Sequence, residues 1–96
     1  MASLPPIRKR CVLDGATLDS VAAVYSALGT QLDTPSYFGK NLDALWDLLT
    51  SWPEPPIEIV WQNSQRSAAI LGKDFAEIVK VLRMAEKHGH IRLRLG

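Results

Sequence analysis

The chain has 96 residues, enough for one hydrophobic core. It is 47% hydrophobic and 22% charged with a mean hydropathy of +0.00, which is typical of a folded globular protein and argues against disordered, collagenous and fibrous classes. No segment approaches the ~20 apolar residues of a membrane-spanning helix. The basic N-terminus has no apolar stretch of the kind found in secretion signals, so we expect a cytoplasmic protein.

The net charge of +1 conceals an uneven distribution along the chain. Residues 1–10 carry a net charge of +3, residues 11–58 carry −6, and residues 59–96 carry +4. A folded acidic segment repels nucleic acid and attracts a basic protein, whereas the basic ends are too dispersed to form an RNA-binding surface. The charge pattern therefore predicts a basic protein partner and no direct binding of nucleic acid.

The first part of the chain predicts a strand and a helix. A short apolar run closed by the turn signal Asp14-Gly15 indicates a strand near residues 10–14. Thr17 or Asp19 can cap the helix that follows. Its apolar residues recur at i, i+3, i+4 and i+7, namely Val21, Val24, Tyr25 and Leu28. The single cysteine, Cys11, excludes an internal disulfide and is best explained as a small buried residue of the strand.

The second part of the chain alternates between helices and strands. Residues 57–61 are nearly continuously hydrophobic, which predicts a central strand covered on both faces. A short helix is expected over 64–71, and Asp74 can cap a longer amphipathic helix that ends at Gly89. Residues 91–95 alternate strictly between apolar and charged side chains, as in a strand with one buried face.

Strands separated by helices imply right-handed crossovers and a parallel sheet. The sequence therefore predicts a single α/β domain with a three-stranded parallel sheet packed against helices. We place the domain at residues 11–96 and treat residues 1–10 as a flexible N-terminal extension.

The helix expected to begin near Asn41 and end before Pro53 has two distinct faces. At about 100° per residue, its leucines fall on one face with Ala44 beside them. Asp43, Asp47 and Thr50 cluster on the other face, and Trp46 lies at the border. Two aspartates one turn apart repel each other, so helix stability alone does not favour this pair.

Aromatic residues flank this acidic face. Acids on an outward helix face often form only a solvated surface, but Tyr37, Trp46 and Trp52 beside them resemble the composition of a binding interface. Trp52, next to Pro53, fits a core position as well as an interface position.

The run from Tyr37 to Trp52, YFGKNLDALWDLLTSW, closely resembles the signature of the barstar family, which are intracellular inhibitors of secreted guanyl-specific ribonucleases. The resemblance extends more weakly over nearly the whole chain after Arg10. It implies a three-stranded parallel sheet with helices packed on it. It also implies inhibition by substrate mimicry, in which acidic side chains of one helix occupy the positions of RNA phosphates.

The resemblance also implies roles for individual residues. Asp47 would meet the catalytic Arg and His groups of the ribonuclease, Asp43 would meet nearby basic residues, and Tyr37 would pack over the catalytic histidine. The remaining expected contacts are the side chains of Trp46, Thr50 and Trp52 and the backbone of Asn41 and Leu42. Two positions where family members carry acids hold Met84 and His88 here, and Lys40 replaces a third acid, so the acidic surface is smaller.

Two other classes of function are less consistent with the sequence. Asp43 and Asp47 could serve as an acid and a base, but they share one side of one helix, whereas such pairs usually flank a substrate from opposing elements. Glu86, His88 and His90 could form a metal cluster, but no regular element holds the two histidines together. We therefore expect a ribonuclease inhibitor without catalytic activity, cofactor or metal; the alternative is a non-inhibitory adaptor or regulatory module that binds another basic protein.

Overall fold

A computed structural model describes residues 9–32, 41–51 and 56–96. In chain order its elements are β1 (Lys9–Asp14), α1 (Val21–Gln31), α2 (Leu42–Ser51), β2 (Ile57–Gln62), α3 (Ser64–Leu71), α4 (Lys73–Lys87) and β3 (Ile91–Leu95).

The three strands form one parallel sheet in the order β1-β2-β3. The register aligns Cys11 with Ile59 and Ile59 with Leu93. This confirms the predicted three-stranded α/β fold and the central place of β2. Coverage of β2 on both faces holds only for its first half, because Val60 is half-buried and Gln62 is exposed.

One face of the sheet forms the core together with the helices. Alternate residues of each strand are buried on this face, including Cys11 and Trp61, both fully inaccessible. The indole Nε1 of Trp61 donates a hydrogen bond to Ser67 Oγ at 2.9 Å, so the one polar group of this large side chain is satisfied inside the core. Cys11 is therefore the inaccessible core residue that the sequence predicts, and this burial raises the pKa of its thiol to about 12.

Strand β1 is held by contacts that local patterns do not show. The Gln31 side chain pairs with the backbone of Val12, accepting from its N–H at 2.8 Å and donating to its carbonyl at 2.7 Å. Arg10 Nε donates to the buried Glu58 carboxylate at 2.6 Å. The strand begins at Lys9, slightly before the expected boundary at residue 11, and the division into an extension and a domain stays a prediction.

The N-cap expected for α1 was wrong. Ser20 caps the helix, its Oγ accepting from the Ala23 N–H at 3.1 Å. Thr17 and Asp19 are engaged elsewhere, because Thr17 Oγ1 donates to the Asp14 carbonyl and Asp19 pairs with Arg66 at 3.2 Å.

The N-cap expected for α4 was also wrong, because the helix begins one residue before Asp74 and is preceded by Gly72. Gly72 has φ of 56°, which lets α3 and α4 join through a single residue. Asp74 instead lies in the first turn, where the helix dipole favours an acid. Across the described ranges, no helix is both long enough and apolar enough to span a membrane.

Candidate partner-binding site

Helix α2 begins where the sequence predicts because Asn41 caps it. The Asn41 Oδ1 accepts a hydrogen bond from the Ala44 N–H at 2.8 Å, which satisfies one of the unpaired donors of the first turn. Asp43 in that turn is further favoured by the helix dipole. The cap thus determines where α2 begins, and with it the position of Asp43 at the start of the acidic face.

The buried face of α2 anchors the helix to the core. Leu45 and Leu49 are fully inaccessible, Leu42 and Leu48 pack against the core from half-buried positions, and α2 packs mainly on α4. The predicted leucine face is therefore confirmed. Because the leucines determine which side of α2 faces inward, they also determine which side faces solvent.

The opposite face carries Asp43 and Asp47, and both are exposed. Within the described part of the chain, neither carboxylate takes part in a side-chain hydrogen bond or ion pair. Asp14, by contrast, accepts hydrogen bonds from Ala16 and Asn63, which lower the pKa of its carboxyl group. The two acids of α2 are therefore charges that no described contact of the fold uses.

Trp46, at the border of the two faces, is held by two histidines. Its indole makes edge-to-face contacts with His88 at a centroid distance of 6.2 Å and with His90 at 6.4 Å. Thr50 Oγ1 donates to the Trp46 carbonyl at 2.8 Å, so this hydroxyl is turned back onto its own helix. The contacts restrict the indole while leaving it half-buried and accessible.

The sequence did not indicate that these two histidines contribute to this surface. His88 is the residue that ends α4, and His90 follows after the Gly89 turn. Glu86 is not grouped with them, because its carboxylate accepts from the Leu93 N–H at 3.0 Å and pairs with Arg83. In the ranges that the structure describes, no three metal-binding side chains are placed to hold an ion. No local signal links Trp46 to residues more than forty positions away.

A groove with a cavity volume of about 300 Å³ lies along the junction of α2 and α4, beside the acidic face. Its lining residues are Leu42, Asp43 and Trp46 from α2 and Lys80, Val81 and Met84 from α4. The structure thus brings together six of the expected contact residues, five on α2 and Asn41 at its cap, next to a groove that the sequence did not predict. The other two, Tyr37 and Trp52, lie outside the described residues, as does Lys40.

The fold and this surface define a small α/β domain with an acidic, aromatic-bordered helix on its exterior. The chain matches the family model described as "Barstar (barnase inhibitor)" over residues 8–94. It is also 33% identical over 79 residues to the "Putative ribonuclease inhibitor YrdF" of Bacillus subtilis (strain 168), which covers 82% of this chain and 87% of that relative. The chain therefore belongs to the barstar family.

Proposed function

We propose that the protein inhibits a ribonuclease by inserting the exposed face of α2 into its active site, where carboxylates take the places of RNA phosphates. The proposed target is a small, basic, secreted ribonuclease of the guanyl-specific type. The observation that carries the proposal is the exposure of Asp43 and Asp47, one turn apart on α2, without a partner among the described side chains.

The cost of this arrangement argues for a use outside the folded chain. Like charges at i and i+4 destabilise a helix by a few tenths of a kcal/mol, and α2 has no basic residue in its last turn. In a complex, the same carboxylates would accept charge-assisted hydrogen bonds from cationic groups in a desolvated site. The opposite charges of the acidic face of α2 and of a basic target would also speed their association.

The proposed contact surface combines these acids with neighbouring groups. It consists of Tyr37, Asn41, Leu42, Asp43, Trp46, Asp47, Thr50 and Trp52. Trp46 suits such a surface because the histidine contacts already restrict its ring, so less side-chain entropy is lost when a partner packs against it. Tyr37 and Trp52 enter the proposal through the sequence pattern and the family resemblance.

We propose that the protein has no catalytic activity of its own. An inhibitor that occupies an active site needs complementary charge and shape, and requires neither a nucleophile nor a cofactor. The Cys11 thiol, the one cysteine of the chain, is buried and has a raised pKa, so it is unsuited to nucleophilic chemistry. We propose that the protein acts in the cytoplasm and protects its cell from the ribonuclease before export.

Inhibition assays test this function directly. Purified guanyl-specific ribonucleases, barnase included, are mixed with increasing amounts of the protein, and cleavage of a fluorescent RNA is followed. We expect loss of cleavage at a one-to-one ratio for at least one enzyme. The variant Asp43→Asn/Asp47→Asn should not inhibit, whereas Asp74→Asn, which removes an exposed acid from α4, should inhibit like the parent protein.

Two other outcomes would change the conclusion. Binding of the acidic face by a basic protein without ribonuclease activity, with no ribonuclease inhibited, would support the adaptor function instead. Equal inhibition by the parent protein and the doubly substituted variant would show that the carboxylates of α2 do not mimic phosphates.

A further inference from the structure

We infer that the groove between α2 and α4 is a specificity pocket that receives one apolar side chain of the partner, of leucine, isoleucine or methionine size, carried next to a cationic residue. The inference rests on the proposed function, because it requires that α2 faces a basic protein. It adds the requirement that the partner carries an apolar side chain at this position, which complementary charge alone does not impose.

The lining of the groove is mainly apolar. Leu42 and Trp46 form the α2 side, and Val81 and Met84 form the α4 side. Met84 is a large apolar side chain that remains 43% exposed, and the described contacts of the fold do not cover it. A volume of about 300 Å³ lies at the small end of the range for small-molecule pockets and is large enough to admit one apolar side chain of the partner.

The charges at the groove select against a purely cationic occupant. Asp43 lines it from α2 and Lys80 lines it from α4, so the lining residues carry no net charge. A cation inside the groove would be attracted by Asp43 and repelled by Lys80. An apolar side chain is not repelled by Lys80, and it removes water from the apolar walls of the groove.

The exposed acids determine what lies beside the groove. Asp43 belongs to the groove wall and Asp47 lies one turn further along α2, so a partner seated on this face meets two carboxylates next to an apolar opening. The complementary surface is an apolar side chain followed by a cation. An apolar side chain beside a cation would distinguish the expected partner from a ribonuclease that presents only basic residues to the groove.

The walls differ in how readily they adapt. The Trp46 ring is restricted by His88 and His90, whereas Met84 is flexible and lies at the surface. The groove therefore has one fixed wall and one adjustable wall, and it can accept apolar side chains of several shapes. Replacing Met84 should alter selectivity without unfolding the domain.

Three dipeptide amides test the groove without any ribonuclease. N-acetyl-leucyl-lysine amide carries the apolar side chain and the cation, N-acetyl-seryl-lysine amide keeps only the cation, and N-acetyl-lysyl-lysine amide places a cation in the groove. Each is titrated into the isotope-labelled protein while NMR shifts are recorded, with the indole and methyl signals of Trp46, Leu42 and Met84 as reporters. We expect the leucyl peptide to bind with a dissociation constant on the order of 1 mM and the other two about tenfold more weakly.

A matched pair of variants locates the binding. Met84→Glu removes the apolar wall and adds a charge, so it should lose the response to the leucyl peptide and gain a response to the lysyl peptide. Ile70→Glu makes the same kind of change at an equally exposed residue on α3, and its titration should match that of the parent protein. Unchanged backbone spectra of both variants would confirm that they fold.

The inference is overturned if the lysyl peptide binds the parent protein as well as the leucyl peptide. It is also overturned if the leucyl peptide leaves the reporter signals unchanged, or if Met84→Glu retains its full response. These results are independent of the ribonuclease assays. A groove that binds the leucyl peptide in a protein that inhibits no ribonuclease would refute the proposed function and leave the groove's selectivity standing.

Discussion

Leu45 and Asp47 lie two positions apart on α2, and the structure predicts opposite consequences for their replacement by alanine. Leu45 is fully inaccessible, so Leu45→Ala should leave a cavity and lower the free energy of unfolding by about 2 to 5 kcal/mol. For a domain of this size, such a loss lowers the melting temperature by roughly 10 to 30 °C. Binding by the molecules that remain folded should be unchanged.

Asp47→Ala should have the reverse effect. The exposed carboxylate has no ion pair or side-chain hydrogen bond within the described residues, and its removal relieves repulsion from Asp43. The free energy of unfolding should therefore stay the same or rise by a few tenths of a kcal/mol. Against a ribonuclease inhibited by the parent protein, removing a carboxylate buried in the interface should cost about 2 to 5 kcal/mol, or more than about thirtyfold in affinity.

Urea denaturation and titration calorimetry on both variants measure the two quantities separately. If folded Asp47→Ala binds the ribonuclease within about threefold of the parent protein, the Asp47 carboxylate is not part of the interface. If Leu45→Ala is as stable as the parent protein, the leucine face does not anchor the helix.

Three further predictions concern stability. Burial raises the pKa of the Cys11 thiol from 9.0 to about 12, so between these pH values the unfolded chain loses a proton that the folded chain keeps. The free energy of unfolding should therefore fall as the pH rises through this range, and it should fall less steeply in Cys11→Ala. Urea melts at a series of pH values measure both slopes. Ser20→Ala should lower the free energy of unfolding by about 1 kcal/mol, whereas Asp19→Ala, which breaks only an exposed ion pair, should lower it by less; equal losses would contradict the assignment of the cap. A methyl group at Gly15 would overlap the Asn63 carbonyl and Ser67 Oγ, so Gly15→Ala should force a backbone shift that costs about 1 to 3 kcal/mol of stability and lowers the thermal midpoint. An unchanged midpoint would show that this turn adapts freely.

Features that repeat within a few residues could be predicted from the sequence. The leucine spacing of α2 determines which side of the helix is buried, because both faces follow from a fixed rotation per residue. The β-branched run of β2 and the alternation in β3 likewise indicate strands before any partner is known. Asp43 and Asp47 could therefore be assigned to an outward face from their positions alone.

Choices between neighbouring residues required the tertiary structure. Thr17, Asp19 and Ser20 all have side chains able to cap α1; the helix begins at Val21, so Ser20 caps it, and Asp19 pairs with Arg66 from a distant part of the chain. The pairing of Gln31 with the backbone of β1 depends in the same way on how α1 packs beside the strand.

The groove depends entirely on how two helices pack. Asp43 and Lys80 are far apart in sequence and line one groove only because α2 and α4 lie side by side. Trp46 meets His88 and His90 for the same reason. Local periodicity determines which residues face outward, but it contains no information about which outward residues of separate helices become neighbours, because that is decided by the packing of the helices on the sheet.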